Sequence, residues 1–391
     1  MTGTRGNRLP RVDALRGFAL LGILVVNAQI FAGTWSLPVG PGTPPADRAA
    51  VWLITVLFNS KFYLLFAFVF GYSFVLQEKA AARAGVLFTG RHLRRVLGLF
   101  LMGLTHAVLL YPGDILVTYA VVGLILFAVR RLSARAALGA AAALTVLLAT
   151  VFLVVGVLSL GVDGGHLTTQ TGQAETARLA AGYRGGPLSV VRTNIEEYRR
   201  ALGGVLVYGL HLVAAALTGY AAGRKGLLDP STPVSARTAA LRGRLVAVAL
   251  PTGLAGGVFT AMCTYGPLDP RCYYLGQAVD ILTAPLLTAV YVTAVLSLPN
   301  GRFGRRIVGA LAAAGRTSLS HYLLQSAVMA FVFTGYGLAR YGTVGPATLV
   351  CACVALWTVQ LAVSARFPRI AAHGPAETLL RRVTSGRPAP R

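Results

Sequence analysis

The chain has 391 residues, 55% of them hydrophobic and only 12% charged, with a mean hydropathy of +0.66. Soluble domains carry about 25% charged residues, so this composition excludes that class and predicts an all-α, polytopic transmembrane helical bundle. The 36 Lys and Arg against 12 Asp and Glu give a net charge of +24, which suits nucleic acid, acidic lipid or cytoplasmic membrane loops, and the placement of the charges decides between them.

A span needs about 20 mostly apolar residues, and about ten runs approach that size. The first, near 14–32, follows Arg5, Arg8 and Arg11 and has Arg16 at its start; its Asn27 and Gln29 argue against a cleaved signal peptide. The second, near 51–77, carries Lys61 roughly 15 Å inside it. The third and fourth, near 96–111 and 115–129, are short and joined by Tyr111-Pro112-Gly113-Asp114, which predicts a hairpin of two thin helices. Arg91, Arg94 and Arg95 lead into this hairpin, and His106 lies within it. A fifth run spans 136–160, and then a polar outer segment, 161–203, carries a predicted short helix from Leu188 to Leu202 with Glu196 and Arg200 paired. Runs near 203–223, 245–264 and 274–297 follow, with His211 in the first and Asp280 in the third. The ninth, 317–337, holds His321, Tyr322 and Gln325; the tenth, 346–365, precedes a basic tail, 373–391, expected to be frayed. The whole of 1–391 reads as one integral membrane domain without internal repeats.

Lys and Arg collect in alternate loops, and such residues are retained on the cytoplasmic side. Both termini are therefore expected inside a bacterial plasma membrane, with the lipid bilayer, not nucleic acid, as the partner. Homo-oligomerisation stays open. Cys263 and Cys272 flank an outer loop bent by Pro267 and Pro270 and are predicted to form a disulfide. Cys351 and Cys353 lie in an apolar run, and neither pair has the spacing of a metal site, so no metal is expected.

Ionisable and amide side chains inside spans are costly and usually face a cavity or a partner. At about 1.5 Å per residue, Asn27, Lys61 and His106 reach similar depths on three consecutive helices. Asp114 follows His106 across the outer turn, close enough for a His–carboxylate contact. An imidazole can take a proton from a hydroxyl nucleophile, a carboxylate can fix its tautomer, and Asn or Lys can hold an oxyanion. His106, Asp114, Asn27 and Lys61 are therefore the candidate catalytic set for acyl transfer. Asp13, Arg16, Arg91, Arg94 and Arg95, at the cytoplasmic ends, are candidates for a phosphate-bearing donor. His211, Asp280, Tyr322 and Gln325 are candidate cavity-lining residues.

The strings RVDALRGFALLGILVVN (11–27), SKFYLLFAFVFGYSF (60–74), RRVLGLFLMGLTHAVLLYPGDIL (94–116) and GRTSLSHYLLQS (315–326) resemble the YeiB-like family of bacterial membrane proteins, as does the closing Trp357 and Gly374-to-Thr384 pattern. His321 departs from the small polar or amide residue expected there. The family is similar in turn to transmembrane acyltransferases such as heparan-alpha-glucosaminide N-acetyltransferase, which implies acetyl transfer from cytoplasmic acetyl-CoA to an acceptor across the membrane. Their opening Asp-x-x-Arg-Gly motif and following Asn match Asp13, Arg16, Gly17 and Asn27. Their catalytic His has no match here; His106 comes from the depth argument alone. The resulting expectation is an acyl-CoA-dependent acyltransferase acting on a glycan, lipid-linked or small hydroxylated acceptor. A transporter or exporter, or a non-catalytic scaffold or sensor, is the alternative.

Overall fold

Apolar runs punctuated by proline, glycine and charge become helices throughout, and the computed structural model, which describes residues 9–36, 40, 42–161, 168–229, 236–299, 301–366 and 374–385, contains no strand among them. The elements are α1 (Pro10–Ala32), α2 (Pro45–Leu57), α3 (Lys61–Arg83), α4 (Phe88–Leu109), α5 (Leu116–Ala128), α6 (Ala134–Leu160) and α7 (Thr168–Arg184). They continue with α8 (Pro187–Arg224), α9 (Ala236–Tyr265), α10 (Tyr273–Leu296), α11 (Arg302–Arg316), α12 (Ser318–Phe333), α13 (Pro346–Arg366) and α14 (Pro375–Ser385). Proline opens α1, α2 and α8 at positions where its missing N–H has no partner to lose.

Six helices are long and apolar enough to span a membrane among the described residues, or seven if the two halves of α8, bent by 65° between Gly204 and Val207, count as one. The polytopic helical class holds, while some expected spans change. The run at 51–77 is broken at Phe58–Ser60, where Ser60 takes φ 65° and Lys61 opens α3. The helix of the third expected run, α4, starts at Phe88 rather than near 96, carrying Arg91, Arg94 and Arg95 on it. At 13 and 16 residues, α5 and α12 cover only about 20–24 Å of a core about 30 Å thick. The expected helix at 188–202 is the first half of α8, joined to the run after it at that bend, and α7 packs beside it. Glu196 does not pair with Arg200. Arg178 of α7 instead binds Glu175 at 2.7 Å, Glu196 at 3.1 Å and also Glu197, while Arg200 reaches Glu175 at 2.7 Å and Glu197 at 3.2 Å. The guanidinium of Arg178, with that of Arg200, holds the Glu175 carboxyl below the usual carboxylate range. Cys263 and Cys272 are free thiols, Cys263 buried, so the expected disulfide is absent. The tail is not frayed over 375–385, which is α14; Arg5, Arg8, Arg369, His373, Arg387 and Arg391 lie outside the described residues.

The bundle is built around α1 and α3. Leu15 and Ala19 of α1 share a cluster with Leu65 and Val69 of α3, while Leu24, Val25 and Phe31 pack with α2, α12 and α13. Neighbours on every side explain why α1 lacks an apolar stripe and is apolar all round. At the periphery, α6 has a mean hydropathy of 2.7 yet leaves Val146, Leu147, Val157 and Leu158 exposed. Such a surface requires lipid.

Small residues set the closest helix contacts. A methyl added at Gly71 of α3 would collide with the Ala216 carbonyl of α8, and one at Gly219 with the Phe68 carbonyl. Gly17 of α1 and Gly315 of α11 form a second reciprocal pair against Leu311 and Asp13. This is how helices approach in lipid, where packing replaces the hydrophobic drive. Gly71→Ala is expected to destabilise by about 1–3 kcal/mol, because two backbones must separate. Gly139→Ala, with open space around its added methyl, should be neutral or gain about 1 kcal/mol of helix propensity. Thermal unfolding in detergent compares the two, and equal stability would refute the close-contact account.

Candidate functional site

The turn between α4 and α5 brings His106 and Asp114 together. The imidazole Nδ1 lies 2.8 Å from Asp114 Oδ1, and both side chains are almost wholly inaccessible. The second carboxylate oxygen accepts the Val117 N–H at 2.9 Å and so caps the first turn of α5. Gly103, one turn before His106, makes the approach possible: a side chain there would press on Asp114 Oδ2 and the Val117 nitrogen. With the carboxylate ionised and the imidazole neutral, this contact is a hydrogen bond donated by Nδ1–H, which leaves the lone pair on Nε2. That Nε2 is buried and has no hydrogen-bond partner among the described residues.

Two tyrosines flank the imidazole. The Tyr322 ring of α12 is 4.9 Å from it, centroid to centroid, with its hydroxyl 3.5 Å from Asp114 Oδ1. The Tyr111 ring is 6.1 Å away, and its hydroxyl donates to Asn27 Oδ1 at 3.2 Å. His106, Asp114, Asn27, Tyr111 and Tyr322 thus form one constellation drawn from α1, the α4–α5 turn and α12. Tyr111 was missed as a candidate, although it sits in the turn already singled out.

Lys61 belongs elsewhere. Its ammonium, fully buried, donates to Asp280 Oδ1 of α10 at 2.6 Å and to the Thr55 carbonyl at 3.1 Å. His211 of α8 is buried within electrostatic range of both charges and beside the Ile281 backbone. No ion pair or hydrogen bond among the described residues joins Lys61 to His106 or Asp114. Gln325 is buried against Gln360 at 2.7 Å, and His321 Nε2 lies 2.8 Å from the Ser364 hydroxyl, so both residues bind α12 to α13.

Below the His106 constellation, toward the basic end, lies a cavity of about 1140 Å³. Its wall includes seven arginines: Arg16 of α1, Arg83 of α3, Arg91 and Arg95 of α4, Arg316 of α11, and Arg381 and Arg382 of α14. Asp13 and Glu377 are the acidic residues on the same wall. Arg16 binds Asp13 at 2.9 Å and also the Ser73 hydroxyl. Arg94 is exposed and does not line the cavity, unlike Asp13, Arg16, Arg91 and Arg95. Ser73, Gln77, His92 and Ser318 add further polar groups, and an apolar stretch of Leu20, Ile23, Phe66 and Phe70 leads to Leu116 and Tyr322. Tyr322 therefore stands between the cavity and His106. Such a site suits a ligand with an anionic head and a less polar end directed at the imidazole. The four further arginines were visible only as positive-inside residues. No group of three or more potential metal ligands occurs among the described residues.

Comparison with known proteins supplies relatives whose names state no activity. The chain is 28% identical to "Uncharacterized protein YxaH" of Bacillus subtilis (strain 168), over 96% of this chain and 94% of that protein. It is 27% identical to "Uncharacterized protein YeiB" of Escherichia coli (strain K12), over 95% of each. It is also 23% identical to an uncharacterized 39.9 kDa protein in the amylase 3' region of Bacillus acidopullulyticus, over 98% of this chain and 95% of that one. No solved structure matches the chain. Residues 222–387, from the end of α8 through α14, match the family described as "Protein of unknown function (DUF418)". Over nearly its whole length the chain is thus similar to YxaH and YeiB, and its residues 222–387 are similar to the DUF418 family.

Proposed function

We propose that the protein is a membrane-embedded acyltransferase that takes an acyl group, in the first instance acetyl, from cytoplasmic acyl-CoA and passes it to a glycan, lipid-linked or small hydroxylated acceptor. The observation that carries this reading is the buried His106–Asp114 pair, its Nε2 unpartnered, behind Tyr322 at the inner end of an arginine-lined cavity. The positive-inside distribution favours a cytoplasmic mouth for the cavity and an inner-membrane location. Acyl-CoA supplies an activated thioester and phosphate groups for the arginines. His106 Nε2 takes the acceptor hydroxyl proton as its oxygen bonds to the acyl carbon, Asp114 stabilises the imidazolium, and the C–S bond breaks. The imidazolium then returns the proton to the departing thiolate. Asn27 and the tyrosine hydroxyls are the nearby groups suited to an oxyanion.

Adjacent arginines on α4 separate a phosphate site from ordinary membrane anchoring. Arg95 lines the cavity and Arg94 faces outward, yet both lie at the same basic helix end. A charge-assisted contact contributes about 1.5–3 kcal/mol, so Arg95→Ala should weaken acetyl-CoA binding about 10- to 100-fold while Arg94→Ala leaves it near wild type. The purified protein should also move labelled acetyl from acetyl-CoA to a membrane-envelope extract. Absence of both binding and transfer would overturn the proposal.

The Lys61–Asp280–His211 cluster favours a second reading, a transporter, because buried charges at mid-membrane depth often line ion or proton pathways. Substrate movement across proteoliposomes without acyl-CoA would select it.

A further inference from the structure

The C-terminal helix α14 packs against α4 and α12. Ala376 and Leu380 are buried, Leu380 in the cluster that contains Leu20, Ile23, Val96, Leu99 and Tyr322. Glu377 provides a polar attachment. Its Oε1 accepts the Leu319 N–H at 2.8 Å and the Ser320 N–H at 3.2 Å, and its Oε2 accepts the Ser320 hydroxyl. The Ser320 oxygen accepts the Ala376 N–H at 3.0 Å in return. Thr317, at the start of α12, makes no side-chain cap of its own. Glu377 therefore caps α12 from another helix, 58 residues along the chain from Leu319.

An isolated helix of 11 residues is marginal in water, so α14 depends on this docking for its structure. Docking also brings Arg381 and Arg382 to the wall of a cavity that already contains Arg16, Arg91, Arg95 and Arg316. Adding positive charge there opposes docking, and an anion in the cavity reverses the sign of that interaction.

We propose that α14 is a latch on the anion cavity, in which Arg381 and Arg382 complete the binding site for a phosphate-bearing ligand and occupancy stabilises the docked helix. The inference rests on the phosphate reading of the cavity but not on acyl transfer. Positive-inside retention explains why these arginines lie at one end of the protein. It does not explain why five helices turn them toward one space, or why the C-terminal helix is clasped by a carboxylate at the rim. Linkage requires reciprocity: if the ligand stabilises docking, loss of docking must weaken the ligand by the same factor.

The test uses the full-length protein in nanodiscs of neutral lipid, with ligand binding and amide hydrogen exchange of residues 378–384 measured in the same samples. One arm adds 3',5'-ADP, the nucleotide head of CoA, and the other adds phosphatidic acid to the disc, which distinguishes a soluble from a lipid source of phosphate. In the arm that binds, exchange over 378–384 should slow at least about tenfold. Glu377→Gln should speed exchange in the free protein. The double variant Arg381→Ala, Arg382→Ala, at exposed positions and with its thermal midpoint compared with wild type, should lower affinity about 10-fold or more and abolish the protection. Saturable binding that depends on Arg95 but leaves α14 exchange unchanged would overturn the latch and keep the phosphate site. If neither ligand binds, both ideas fall together. Binding with latch protection but without acetyl transfer would leave the latch standing and remove the acyltransferase.

Discussion

His106→Ala is expected to reduce acyl transfer by about 10²- to 10⁴-fold, the usual contribution of a general base, while folding and acetyl-CoA binding stay intact. The separation of effects follows from position. His106 is 3% exposed and touches Asp114, Tyr111 and Tyr322, but it is not part of the arginine cavity wall. Its structural contribution is one hydrogen bond between helices, worth about 0.6 kcal/mol in membrane proteins. His106→Gln sharpens the comparison, because an amide can restore a hydrogen bond to Asp114 but cannot hold the transferred proton. Asp114→Asn keeps an oxygen for the Val117 N–H while removing the charge, so it should impair turnover far more than stability. Near-normal transfer by His106→Gln would reduce this histidine to a packing role and redirect attention to Lys61, His211 and His321.

The His106–Asp114 contact was legible because it is local. A tight turn joins the two residues, and sequence separation is then a fair guide to distance. The depth argument for Lys61 failed differently. Counting residues from a span's end fixes height in the bilayer but not direction around the helix axis, and Lys61 points to Asp280, 219 residues away, rather than to His106. No local pattern encodes that pairing. The break between α2 and α3 carried a faint signal in Asn59 and Ser60, two polar residues within an apolar run.

The arginine cavity shows the same limit at larger scale. Its residues were each visible as positive-inside charges, but their convergence depends on α11 and α14, two helices read as loop and tail. Both combine basic residues with a narrow apolar face, such as Leu311 and Ala312 on α11 or Ala376 and Leu380 on α14. Sequences of this kind suit a solvated terminus as well as a docked helix, and only the partner surface selects between them. Glu377 had no reason to stand out until the uncapped start of α12 appeared beside it.

Lys61→Met should destabilise the protein by about 3–5 kcal/mol, the cost of leaving a buried carboxylate without its cation. Lys61 is fully buried and Asp280 is 3% exposed, so water does not replace the missing partner cheaply. The 2.6 Å contact to Asp280 and the 3.1 Å contact to the Thr55 carbonyl use two of the three ammonium donors, and the Lys61 carbonyl in turn accepts the Thr288 hydroxyl at 3.0 Å. The pair thereby binds α2, α3 and α10 where the chain breaks at Phe58–Ser60. Two desolvated charges gain little over a well-packed apolar pair, so Lys61→Met with Asp280→Leu should recover most of the loss. Unfolding in detergent of the two single variants and the double closes the cycle. Lys61→Met with wild-type stability would show that Asp280 is neutral or hydrated, and a double variant as unstable as the summed singles would show that the residues do not act as a pair. A stable double variant also isolates function: retained acyl transfer would make the pair structural, whereas loss of activity in a folded protein would return Lys61 to the functional set by way of α10 and His211.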